Sequence, residues 1–63
     1  MSNVGKKFKT RYQGNFTSKG AIGICKEEKT VRALGHFVLI DFGYITTWCF
    51  ARELDEVVEN ASN

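Results

Sequence analysis

The stretch VLIDFGYITTWCF, residues 38–50, constrains this chain more than any other. Val38–Phe42 and Ile45–Phe50 are dense in β-branched and aromatic residues, which fit a pleated surface. Between them lies Gly43-Tyr44, and glycine at the first central position of a two-residue turn accepts the positive φ of a type II′ hairpin. Such a turn sets the register, with Phe42 opposite Ile45, Ile40 opposite Thr47, Leu39 opposite Trp48 and Phe37 opposite Phe50. Because side chains alternate along a strand, one face carries Val38, Ile40, Phe42, Ile45, Thr47 and Cys49. The other carries Phe37, Leu39, Asp41, Thr46, Trp48 and Phe50. Both faces are largely apolar, yet a chain of 63 residues has core enough for only one of them. The more uniformly apolar set is expected inside, in a core of Ile22, Ile24, Val38, Ile40, Phe42, Ile45 and Leu54. Asp41, near the hairpin tip, is expected to face solvent or bond the turn.

The remaining chain reads as further short strands. KFKTRY, residues 7–12, alternates, with Phe8, Thr10 and Tyr12 on one side and a basic ridge of Lys7, Lys9 and Arg11 on the other. GNFTSKG, residues 14–20, is a loop by its turn residues. AIGICK, residues 21–26, reads as a strand in which Gly23 marks a bulge or a close backbone approach. The polar tract Glu27-Glu28-Lys29 is expected to turn the chain, and Thr30–Leu34 leads into the third strand, with a kink or bulge at Gly35. Ala51–Asp55 breaks the alternation and suggests a helical or 3₁₀ turn, followed by a closing strand over residues 56–59. Residues 1–63 are expected to form a single domain with residues 1–6 and 60–63 flexible.

Composition narrows the function. With 43% hydrophobic residues, six glycines and no proline, the chain is not low-complexity, and it is too short to build a large enzyme cleft. No apolar run approaches the roughly 20 residues that cross a bilayer, and the lysine-bearing start has no apolar segment after it as a secretory signal does. A cytoplasmic location, in a cell or an infected host, is the expectation. Cys25, Cys49 and the single His36 have neither metal-ligand spacing nor a catalytic arrangement. The thiols are therefore expected to be reduced and buried, and no enzyme activity, metal or cofactor is expected. Residues 1–20 hold five basic side chains (Lys6, Lys7, Lys9, Arg11, Lys19) and no acid, whereas residues 51–63 hold four acids and only Arg52 as a base. Such asymmetry can steer an anionic partner, or associate copies head to tail.

The run from Phe8 to Val58, with SKGAIGIC, then FVLIDFG, then TTWCFARELDEV, resembles the Src-homology-3-like small β-barrel superfamily, in particular its Tudor-like and KOW-like modules. The resemblance implies an all-β, five-stranded barrel with a short helical turn near the C-terminus. It also implies binding of peptides, nucleic acids or other subunits through the outer face and loops. Two readings follow. In the first, a small regulator, of the kind viruses and mobile elements make, binds a protein partner or a second copy through Phe37, Leu39, Tyr44, Trp48 and Phe50. In the second, Lys6, Lys7, Lys9, Arg11 and Lys19 contact nucleic-acid phosphates while exposed aromatics stack on bases. The acidic segment after Ala51 favours the first.

Overall fold

The computed structural model describes residues 2–58. The described residues form a five-stranded antiparallel sheet with almost no helix: β1 (Lys7–Thr10), β2 (Ile22–Val31), β3 (Gly35–Asp41), β4 (Thr46–Phe50), a 3₁₀ turn (Ala51–Glu53) and β5 (Leu54–Glu56). In space the strands run β4-β3-β2-β1-β5, so the first strand lies beside the last. The β3–β4 hairpin has the register its turn chemistry dictates, with Phe37 opposite Phe50, Leu39 opposite Trp48 and Ile40 opposite Thr47. At its tip, Gly43 has φ +97° and donates its N–H to the Asp41 carboxylate at 2.8 Å. Asp41 is thus a turn-bonding residue.

Two of the expected elements differ. Glu27-Glu28-Lys29 does not turn the chain: β2 continues through it to Val31, opposite β3, and the turn comes at Arg32–Leu34. The register shifts between Cys25 and Glu27, a bulge that bends the strand without ending its ladder. Of the two expectations for Gly23 the close backbone approach holds and the bulge does not, and Gly35 opens β3 in pairing with Val31 at φ +113°. The closing strand begins at Leu54 and ends at Glu56, earlier than its sequence suggests; Glu59 and the expected fraying of 60–63 lie outside the described residues.

Cys25, Val38, Ile40 and Leu54 form the buried core, with Phe8, Phe42 and Cys49 packed against it. Val38 and Ile40 confirm the choice of hairpin face. Ile22 and Ile24, by contrast, are 53% and 40% exposed. The β1–β2 register explains this: Lys9 pairs with Ile22, Phe8 with Gly23 and Lys7 with Ile24, so the isoleucines share the lysines' outer face. Gly23 and Cys25 point inward instead. A Cβ on Gly23 would overlap Ile40 Cγ2 and lie 2.7 Å from the Asp41 carbonyl, so the core requires a residue without a side chain there. Residues of the segment 2–6 hydrogen-bond to β2. Glu28 accepts the Asn3 N–H at 2.8 Å and the Ser2 hydroxyl at 2.9 Å, and the Gly5 N–H reaches the Cys25 carbonyl at 2.8 Å.

Candidate interaction face

The outer face of β3–β4 brings together four of the five aromatic and apolar residues singled out above. Phe37 and Phe50, cross-strand neighbours, have ring centroids 4.4 Å apart. Leu39 lies opposite Trp48, which is 38% exposed. Two cations lie over the rings: Lys29 Nζ is 4.3 Å from the Trp48 centroid, and Arg52 Cζ is 4.1 Å from that of Phe50. Each contact combines attraction to the ring quadrupole with cover by an aliphatic stem. These flexible arms shield an apolar patch that the core cannot take in. Tyr44 stands apart at the exposed hairpin tip, where its hydroxyl donates to the Phe16 carbonyl at 3.0 Å.

That hydroxyl helps to hold the early loop against the hairpin. The other anchor is Thr10, a buried polar residue at the end of β1. Its hydroxyl donates to the Ser18 carbonyl at 2.8 Å and accepts from the Gly20 N–H at 2.9 Å and the Ala21 N–H at 3.2 Å. Loop residues Tyr12 and Phe16 do not bury themselves on the patch; both remain well exposed. A cleft of about 320 Å³ lies between residues 12–17 of the loop and Thr47–Phe50 of β4, with Phe37 and Glu53 also in its wall.

The basic ridge has a different setting. Because β5 pairs with β1, acids from the end of the chain meet bases from its start: Arg11 is 2.8 Å from Asp55 and Lys6 3.8 Å from Glu56. The hydrogen bond from Arg11 holds Asp55 below the usual carboxylate range, and the same contact raises Arg11. Lys7 and Lys9 lie on the outer face beside Ile24 and Ile22, while Lys19 is exposed on the early loop. The charge separation along the sequence is thus partly cancelled across the β1–β5 pair.

Burial raises the pKa of both Cys25 and Cys49, keeping the thiols protonated at neutral pH, and both are free. His36 Nε2 lies 3.1 Å from Glu28 and Nδ1 3.1 Å from the Thr30 hydroxyl, so the ring's partners are an acid and an alcohol. Among the described residues no group of three or more His, Cys, Asp or Glu side chains is placed to hold a metal ion, and no helix is long and apolar enough to cross a membrane.

Sequence reasoning missed a second outer surface, a hollow beside Ile22, Ile24 and Lys7 that Asp41, Phe42 and Gly43 complete. The signal for it was the glycine in Ile-Gly-Ile-Cys: a small residue flanked by large ones is where a neighbour approaches from the core side. Compared with known proteins, the chain matches no family model, no curated protein and no solved structure.

Proposed function

We propose that this protein is a non-enzymatic interaction module that binds a protein partner through the outer face of β3–β4, with Trp48 at the centre. The carrying observation is that Trp48 remains 38% exposed in a contiguous patch with Leu39, Phe37 and Phe50. Tryptophan in such a patch is a typical interface anchor, and its truncation commonly costs about 2 kcal/mol or more of binding. The fold we infer is a Src-homology-3-like barrel, acting as a regulator in the cytoplasm. Its support is the strand order, the bulged β2, the early loop and the 3₁₀ turn before the last strand. Tyr44, apart from the patch at the hairpin tip, contributes through its hold on the early loop.

Affinity capture on immobilised wild type and on Trp48→Ala, each first shown to be folded by circular dichroism, tests this reading. Partners retained by the wild type and lost by the variant support it; identical capture by both refutes it. Sedimentation of the same pair tells whether the partner is a second copy. Nucleic-acid binding is the weaker reading, because Arg11 and Lys6 already face Asp55 and Glu56. Lys7, Lys9 and Lys19 are exposed, Lys9 opposite Asp55. An interaction that is tight at low salt and abolished by Lys7→Glu with Lys9→Glu is the signature of nucleic-acid binding.

A further inference from the structure

The proposed module has an open sheet edge beside its aromatic patch. Among the described residues, strand β4 has β3 on one side and no strand on the other. The Phe42 N–H donates to the Ile45 carbonyl at 2.8 Å, which identifies that pair as hydrogen-bonded. Bonded and non-bonded pairs alternate in an antiparallel ladder. Ile40 with Thr47 and Val38 with Cys49 are then bonded pairs, and Thr46, Trp48 and Phe50 point their backbone groups away from β3. The Phe50 carbonyl enters the 3₁₀ turn as its N-cap. Among the described residues β4 has a ladder with β3 alone, and no backbone hydrogen bond outside the ladders involves Thr46, Trp48 or the Phe50 N–H, so these groups face the open edge.

The two edges of the sheet differ. Strand β5 is three residues long and carries Asp55 and Glu56, features that discourage another strand from pairing. Strand β4, Thr-Thr-Trp-Cys-Phe, has no charge, no proline and no bulge. It also borders the cleft of about 320 Å³ beneath the early loop. That volume is at the low end of ligand pockets and suits a few residues of one extended chain rather than a folded domain. Glu53 is the one charged side chain among its lining residues.

We propose that β4 and this cleft receive an extended peptide segment of the partner protein, added to the sheet as a strand beyond β4. Backbone hydrogen bonds to Thr46, Trp48 and Phe50 supply affinity, and alternate side chains of the segment lie against Trp48 and Phe50, the mode known as β-augmentation. On its cleft side the segment carries one lysine or arginine facing Glu53 and is otherwise uncharged. This inference rests on the protein-binding reading above and names the chemistry of the partner.

The test uses the full chain, immobilised, to select from a displayed library of random unstructured peptides. The best binder is then titrated into isotope-labelled protein. The amides of Thr46, Trp48 and Phe50 should shift and become protected from hydrogen exchange. N-methylation of the peptide at residues of one parity should weaken binding about tenfold, the loss of one or two hydrogen bonds, while methylation at the other parity changes nothing. Exchange of the peptide's basic residue for glutamate should also weaken it. Selection of no binder, unshifted β4 amides, or indifference to methylation at either parity overturns strand addition. If Trp48→Ala abolishes binding but methylation is without effect, the outer-face reading stands and strand addition fails; if neither matters, both fail. A concentration-dependent dimer with protected β4 amides and no peptide present assigns the edge to a second copy and overturns the peptide.

Discussion

Replacing Gly23 with alanine tests the packing on which the two faces of the sheet depend. The backbone does not object, since Gly23 is not among the residues with positive φ. An alanine that fits its site would stabilise the chain by about 0.4–1 kcal/mol through the unfolded state. Here the added methyl overlaps Ile40 Cγ2 and lies 2.7 Å from the Asp41 carbonyl and 2.9 Å from Phe42 Cδ1. Ile40 is fully buried and the Asp41 carbonyl is backbone, so neither can yield without moving the core or the sheet. Overpacking of this kind costs about 1–3 kcal/mol, and two immobile neighbours put this site at the upper end. At roughly 0.05–0.15 kcal/mol per residue, a domain of this size has only about 3–9 kcal/mol to lose. With an m-value of about 1 kcal/mol/M, the urea midpoint should fall by roughly 2–3 M. The single tryptophan, Trp48, reports unfolding by fluorescence. The double variant Gly23→Ala with Ile40→Ala should be more stable than the two effects summed, because one clash disappears with the isoleucine. A neutral or stabilising Gly23→Ala would refute the account of why Ile22 and Ile24 face outward.

Three further outcomes are expected. Thr10→Val keeps the shape of a buried residue but removes the hydroxyl shared by Ser18, Gly20 and Ala21; it should cost about 1–3 kcal/mol and speed hydrogen exchange across the early loop. Ala33 holds φ +74°, a left-handed conformation that costs a non-glycine residue roughly 1–2 kcal/mol; Ala33→Gly should raise the melting temperature slightly, after the entropy of glycine is subtracted. Hydrogen bonds from the Asn3 N–H and the Ser2 hydroxyl, and then from His36, lower the pKa of Glu28. Its folded value lies below its unfolded value, so the stabilisation is complete above the ordinary carboxylate pKa of about 4.3 and is lost as pH falls through the folded value. Thermal melts against pH should show the wild type losing more stability than Glu28→Gln on acidification, and parallel curves would remove Glu28 from that role.

Much of the hairpin was determined by the sequence alone. Gly43-Tyr44 selects a two-residue turn, the turn sets the pairing of residues 37–42 with 45–50, and the more apolar parity of that pair, Val38 and Ile40, goes inside. The inward side of Phe8 and Thr10, the early loop and the 3₁₀ turn were legible for the same reason: each rests on local periodicity or turn chemistry. Two apolar faces and one small core left open whether the early loop covers the second face; Trp48 stays partly exposed because Tyr12 and Phe16 do not bury themselves on it.

Pairings between residues far apart in the chain settled the rest. Ile-Gly-Ile-Cys offers two alternations, and apolarity favours burying the isoleucines; the opposite holds because Ile40, arriving from β3, occupies the space that a side chain at residue 23 would need. Glu27-Glu28-Lys29 has the composition of a turn, yet it stays in the sheet because β3 supplies a ladder for it and Asn3, Ser2 and His36 satisfy the Glu28 carboxylate. Acids and bases that stand at opposite ends of the sequence become neighbours only because β5 closes against β1. The cleft beside β4 has the same origin: one wall is strand and the other is loop, some thirty residues apart in the chain, and no local pattern encodes the gap between them.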